Sequence, residues 1–459
     1  MRFRTSHLIG FLYRSNDVAK SGEDSRAQGK LTLYFMLRAS SMIISILSLP
    51  FILNNIGSVS FARVSILLTL FQFITILDWG LGNFIISRFT PIFQSGKLKS
   101  QSEFTTKFLP MLLISNIVLV TLVFLVDRMS VLKLAFSLGN GLQYEARVYL
   151  FYTFCLINLV LLCLSKMLLV LNKRDMYQIT LSLNVAFPQL VILGASFVSF
   201  SSIDLVLLYQ VSSSLVYLFG LLNILENKYS IRILHSYLKL SLKPNSRYLL
   251  FLFRSSYRFF ILQLIGFVTS QAGVLIVAQF SGTQQVAEYS IIMRILGVHI
   301  AFVTFIFGSS QSEINQILKT KSLKFLKKFF ISVYLFSAIS IVSIFTVLIL
   351  FRENVFFLKI VGGTVFSSEL VLTSLVYIVV WSINYPFSIV AVSDFPSKWY
   401  FRGSIVALPI NLLIAVGLLE CLKFNGGPLI ANSVSMILFS IIPFVFWFFK
   451  GIYRSTENA

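Results

Sequence analysis

Gly57-Ser58-Val59-Ser60-Phe61-Ala62-Arg63-Val64-Ser65 and Gly282-Thr283-Gln284-Gln285-Val286-Ala287-Glu288-Tyr289-Ser290 share one pattern, G-x3-[FV]-A-x2-S. The two copies lie 225 positions apart in a chain of 459 residues, close to half its length. Self-similarity at a fixed offset is the mark of a duplicated structural unit. Each copy follows one long apolar run and opens the next, so the unit that was duplicated is a set of apolar segments.

A membrane-crossing helix needs about 20 mainly apolar residues. Twelve runs meet that need, near 32–53, 64–86, 108–126, 148–171, 179–200, 204–225, 259–280, 288–310, 329–351, 370–392, 403–421 and 428–449. Composition agrees: 57% of residues are hydrophobic and 12% charged, where a soluble chain has about 25% charged. Mean hydropathy is +0.86. The 47 phenylalanines exclude a disordered chain. The runs are continuous and do not alternate, which excludes a β-barrel. The fold expected is all-α and integral to the membrane, with 12 transmembrane helices in two six-helix lobes. An even number of crossings per unit makes the 6+6 repeat parallel, about an axis along the membrane normal.

Charge sets direction. Of 38 Lys and Arg, 28 fall on one side, in the N-terminal segment, 87–107, 172–178, 226–258, 311–328, 393–402 and the C-terminal tail. Only 7 fall in the connections on the other side. Short cytoplasmic loops carry the Lys/Arg excess, so both termini are placed in the cytoplasm. Most of the formal +21 is thus a topology signal; a nucleic-acid binder would gather its basic residues on a polar face. The organisation expected is a cytoplasmic segment 1–30, an N-lobe 31–225, a basic linker 226–258, a C-lobe 259–449 and a tail 450–459.

Catalytic patterns are missing. No G-x-x-x-x-G-K-[ST], H-E-x-x-H or G-x-S-x-G occurs, and Cys155, Cys163 and Cys421 form no metal-binding spacing. No metal, cofactor or enzymatic activity is expected. The non-cytoplasmic loops are short, without the large carboxylate-bearing loop of polymerases that act on lipid-linked sugars.

Polar residues inside the runs carry the functional signal. At the duplication offset Arg38, Ser41, Ser45 and Ser48 of the first run fall on Gln263, Gly266, Ser270 and Gly273 of the seventh, one helical face in each. Such stripes serve either close helix packing or the lining of a cavity between the lobes. An ionisable residue within a span is a functional candidate by default. Asp78 lies about 15 Å from the cytoplasmic end of its run and Arg38 about 12 Å, close enough in depth to pair. Arg294 shares a stripe with Gly297, Ala301, Thr304 and Gly308. His299 sits off that stripe, where a hydrogen-bonded packing role competes with a functional one. Lys166 lies within snorkelling reach of the cytoplasmic side. Two arginines facing a cavity suit an anionic substrate, because guanidinium binds phosphate oxygens bidentately.

Leu37-Arg38, Leu49-Pro50-Phe51, Ile56-Gly57, Phe61-Ala62, Leu77-Asp78-Trp79-Gly80-Leu81-Gly82 and Arg88 together resemble the N-terminal pattern of Wzx-type flippases of the MOP superfamily. Leu275-Ile276, Gly282, Val286-Ala287-Glu288-Tyr289-Ser290 and Arg294 are similar to the same family's seventh and eighth spans. The resemblance implies alternating access around a cationic cavity in the bacterial cytoplasmic (inner) membrane. The cargo implied is an undecaprenyl-diphosphate-linked oligosaccharide repeat unit for O-antigen or another surface polysaccharide. Arg38, Ser41, Ser45, Gln263, Ser270 and Arg294 become cavity candidates, and Asp78 an ion-coupling residue or internal pair. The resemblance leaves room for a coupling ion, H+ or Na+, and for other polysaccharide-assembly membrane proteins as partners beside membrane lipid; no nucleic acid is expected. One departure stands out. Family members often carry an acidic residue midway along span 7, where this chain has Gly273 with Gln271 nearby. Two other readings stay open: a multidrug exporter of the same superfamily, and a non-transporting membrane component of polysaccharide assembly.

Overall fold

The computed structural model describes residues 21–76, 142–166, 173–198, 200–225, 260–308, 323–351, 366–393 and 398–446, with Thr121, Leu168 and Tyr257 as isolated positions. The run expected near 108–126, the linker 226–258, most of the N-terminal segment and the tail lie outside the described residues.

Every element among the described residues is helical. In chain order they are α1 (Ser21–Ile76), α2 (Leu142–Ser165), α3 (Arg174–Ser196), α4 (Ser202–Leu225), α5 (Phe260–Ser270), α6 (Ala272–Phe280), α7 (Thr283–Gly308), α8 (Leu323–Phe351), α9 (Ser368–Ser393), α10 (Lys398–Leu422) and α11 (Gly427–Met436). A π-helical turn, Ile437–Ile441, carries α11 onward. Nine stretches among the described residues are long and apolar enough to cross a membrane, or ten with the bent pair α5–α6. Their exposed faces carry large apolar side chains, among them Leu47, Phe51, Phe219, Val342, Leu413 and Phe446, which suits contact with lipid chains.

α1 departs from expectation in one respect. The sequence predicts a loop over 54–63 between the first two runs, and the structure contracts it to a break at Gly57, with φ 76° and ψ 163°. Only a residue without Cβ settles in that region of backbone space. The chain kinks there between two helical stretches, and Phe61 and Ala62, four and five residues on, are already buried.

Since lipid tails are as apolar as leucine, helices in a membrane associate by close packing and polar contacts. α1 packs on α3 and α4, and α4 on α2, forming one group. Asn55 Nδ2 donates to Ser196 Oγ at 3.0 Å, tying α1 to α3. α4 starts on a cap: Ser201 Oγ accepts from the Asp204 backbone N–H at 3.3 Å and donates to its carboxylate at 2.6 Å. Arg147 pairs with Asp204 at 3.3 Å at the half-exposed ends of α2 and α4. A second group comprises α7 on α8 and α9, α9 on α11, and α10 on α11. Asn411 Nδ2 donates to Asn432 Oδ1 at 2.7 Å between α10 and α11, fully buried. The groups meet chiefly where α1 packs against α7, with α6 between α1 and α10. Phe61, Ala62, Val286 and Ala287, each 1% exposed or less, share one apolar core there. The two copies of the duplicated pattern therefore lie in the contact between the groups.

Candidate functional site

The seventh run is not one straight helix. α5 and α6 meet at 50° across Gln271, whose backbone sits at φ −124°, ψ −33°. Gln271 N–H still bonds Phe267 O at 2.7 Å, while Thr269 O accepts from Tyr377 Oη of α9 at 3.3 Å. A carbonyl left short by the bend thus finds a side-chain donor. Two residues on, a Cβ at Gly273 would collide with Tyr289 Oη. At the position where the sequence departs from the family pattern, the Tyr289 phenol of α7 therefore fills the space beside the glycine.

Arg38 projects from α1 toward α3, where its Nη1 donates to Leu181 O at 3.2 Å. A helical carbonyl has a second lone pair, so it accepts this bond beside its own helical one. Tyr177 and Tyr217 lie within electrostatic reach. Asp78, its expected partner, lies outside the described residues. Ser41 is buried and bonds back to Arg38 O at 2.8 Å. Ser45 is half-buried and its carbonyl accepts from Ser48 Oγ at 3.1 Å. On α5, Ser270 Oγ bonds back to Gly266 O at 2.6 Å, whereas Gln263 Oε1 is buried without a hydrogen-bond donor.

Arg294 occupies a different place. Its guanidinium carbon lies 5.1 Å from the ring centroid of Phe61, across the contact between α7 and α1. Tyr209 of α4 is within electrostatic reach. The Arg294 Nη1 is buried and has no hydrogen-bond partner among the described residues. A cation over an aromatic face gains about 0.5–2 kcal/mol, less than full hydrogen bonding would return. Arg38 and Arg294 share no hydrogen-bonding partner among the described residues. They are linked instead through α4, where Tyr217 lies in reach of both Arg38 and Tyr209, and Tyr209 in reach of Arg294.

His299 is enclosed by three helices. Its Nδ1 lies 2.9 Å from Ser340 Oγ of α8 and its Nε2 2.9 Å from Ser382 Oγ of α9. Ser382 Oγ already donates to Ile378 O at 2.8 Å, so it accepts from Nε2–H. Both ring nitrogens are thus hydrogen-bonded, with Trp381 edge-on at 6.0 Å. Lys166 is half-buried just past the end of α2, where its N–H bonds Leu162 O at 3.3 Å.

Sequence reasoning did not single out several polar residues that the structure buries. Asn184 Nδ2 donates to Tyr217 Oη at 2.9 Å and its Oδ1 accepts from Ser213 Oγ at 2.6 Å, uniting α3 and α4. Asn158 bonds Gln210 O at 2.9 Å and Gln210 Nε2 reaches Cys155 Sγ at 3.2 Å. Glu288 is 9% exposed and accepts from Gln284 Nε2 at 3.4 Å. Neutral amides inside apolar runs were the available signal for the first two clusters. Glu288 sits at the edge of its run, where sequence alone reads it as a boundary. Among the described residues no group of three His, Cys, Asp or Glu could hold a metal ion.

The overall arrangement of the helices is similar to that of solved membrane transporters. An inward-facing MATE-family multidrug resistance transporter of the MOP superfamily superposes with TM-score 0.63 at 14% identity, covering 93% of this chain and all of that one. The lipid II flippase MurJ in an inward closed conformation gives 0.64 at 12% identity over 90% of this chain and 87% of its own. A MOP transporter from Pyrococcus furiosus, described by a reversed polarity of its binding pocket, gives 0.58 at 15% identity, with 91% and 93% covered. At such identities the likeness establishes the fold: a multi-span membrane protein of the MATE and MurJ type. The family follows from the sequence model of polysaccharide biosynthesis proteins, which matches residues 29–311, and the chain belongs to that family. No curated protein sequence matches it.

Proposed function

We propose that this protein is a flippase that carries an undecaprenyl-diphosphate-linked oligosaccharide repeat unit across the bacterial cytoplasmic membrane by alternating access, for O-antigen or another surface polysaccharide, with both termini cytoplasmic. Family membership and the MurJ-like fold support a membrane flippase. The observation that carries the anionic cargo is Arg294, a buried guanidinium between the two helical groups with one nitrogen lacking any acceptor among the described residues. A cation held in an apolar setting with no carboxylate partner among the described residues favours an anion brought from outside. Arg38 is the second candidate: among the described residues its guanidinium bonds a backbone carbonyl through Nη1, and its other N–H groups can serve phosphate oxygens. A multidrug exporter selecting cationic drugs would need acidic residues facing its cavity, and Glu288, already bonded to Gln284, is the one described carboxylate on α7.

The test is genetic and biochemical. Arg294→Ala and Arg38→Ala are each expected to abolish surface polysaccharide while the protein stays in the membrane at wild-type level. Purified protein in liposomes is expected to move a prenyl-diphosphate-linked sugar between leaflets. Normal polysaccharide in both variants would refute the assignment.

A further inference from the structure

Serines and threonines inside helices have a ready acceptor in the carbonyl three or four residues back, and most of those buried in this protein use it. Ser41, Ser48, Thr69, Thr180, Ser196, Ser382 and Ser433 all bond back in this way. The serines that close the two duplicated patterns do not. Ser65 is 5% exposed and Ser290 4%, and among the described residues neither hydroxyl has a hydrogen-bond partner, as holds also for Ser337 and Ser435 outside the repeated pattern. Their positions coincide under the repeat, so one unmet hydroxyl is present in each copy.

Ser65 is four residues after Phe61 and Ser290 four before Arg294, so each is one helical turn from a member of the Arg294–Phe61 contact, on the same side of its helix. Two hydroxyls and the Arg294 Nη1, all without partners among the described residues, thus belong to residues at that contact or one helical turn from it. A hydroxyl can donate or accept, so the guanidinium decides the class: its fixed positive charge disfavours a cation and favours an oxyanion, to which both hydroxyls can donate.

We propose that Ser65, Ser290 and Arg294 form a binding set for a phosphate-class oxyanion, enclosed between α1 and α7 in this structure and engaged by the cargo's diphosphate when these helices separate. The proposal rests on the flippase reading above and adds to it the two serines, which would select the charged group of the cargo and not its sugar. In the enclosed state the unmet donors weaken the α1–α7 contact, so cargo binding and separation of the helices favour each other.

The experiment uses full-length protein in nanodiscs, with farnesyl diphosphate and inorganic pyrophosphate titrated separately by calorimetry, and a thermal melt of every variant. A hydrogen bond to a charged group corresponds to about tenfold or more in affinity. Ser65→Ala/Ser290→Ala is therefore expected to bind farnesyl diphosphate at least about tenfold more weakly than wild type, with thermal stability unchanged or raised. Ser65→Thr/Ser290→Thr keeps both hydroxyls and is expected to bind within about threefold of wild type. Pyrophosphate binding that is lost in the same variant identifies the phosphate group as sufficient. Binding of farnesyl diphosphate alone identifies the lipid headgroup as the source, and either result supports the set. Wild-type affinity in the alanine double variant, with binding lost in Arg294→Ala, would overturn the serine assignment and leave the flippase reading standing. An equal loss in the threonine and alanine variants would assign the effect to packing and overturn it too. No binding by the wild type would overturn both readings.

Discussion

Replacing Gly57 with alanine separates a backbone effect from a packing effect. Gly57 has φ 76° and ψ 163°, a region that is essentially closed to residues with a Cβ and costs about 1–3 kcal/mol to occupy. A Cβ built there meets no atom within 4 Å, so crowding adds nothing. The whole of that cost should therefore appear as lost stability. Gly282, its counterpart in the second copy of the pattern, is the internal control. Its backbone is not left-handed, and a Cβ there meets only Gln285 Oε1 at 2.8 Å, the far end of a flexible side chain. Gly282→Ala is expected within about 0.5 kcal/mol of wild type. The assay is equilibrium unfolding of the purified protein in detergent with a graded denaturing surfactant, followed by helical circular dichroism. Gly57→Asn should not recover the loss, since asparagine tolerates φ near +60° only with ψ near +50°. Equal losses at Gly57 and Gly282, or a neutral Gly57→Ala, would refute the claim that the turn between the first two runs is made by one glycine.

Two further outcomes follow from packing. Gly273→Ala places a methyl group 2.1 Å from Tyr289 Oη and 2.7 Å from Cζ; it should cost about 1–3 kcal/mol, most of it recovered in Gly273→Ala/Tyr289→Leu and none if the two residues are not in contact. Asn411→Leu and Asn432→Leu each strand a buried amide and should destabilise by about 1–3 kcal/mol. The double variant should lose less than the two losses combined, by about 0.6 and up to 1.7 kcal/mol, and strict additivity in the cycle would show that the pair is not bonded.

Much of the fold was legible because the bilayer imposes a simple code. Length and apolarity identify a span, so the runs near 148–171, 179–200, 204–225, 288–310, 329–351, 370–392 and 403–421 each coincide with a described helix. The stretch Leu77–Gly82, which carries part of the family resemblance, and with it Asp78, lies outside the described residues. The candidate site was legible in part. Arg38 and Arg294 stood out as charges in apolar runs, but their surroundings did not. Depth along a helix follows from counting residues, whereas azimuth relative to a neighbour depends on how helices cross. That is why Arg38 turned toward Leu181 O of α3 and Arg294 toward the ring of Phe61. It is also why Tyr209 and Asn184 went unnoticed and Glu288 was read only as part of a motif, since their interest lies in what faces them.

The duplicated pattern shows where the division falls. The sequence by itself determined that G-x3-[FV]-A-x2-S occurs twice and opens a span each time, because hydrophobic runs and a repeat are one-dimensional facts. Tertiary structure decided that the two copies meet, that only the first glycine needs a left-handed backbone, and that Ser65 and Ser290 hold hydroxyls without partners among the described residues. Identical letters in two places carry no information about whether they touch. Contact between α1 and α7 is set by the packing of all the helices around them, and it is that contact that turns a repeated motif into a candidate site.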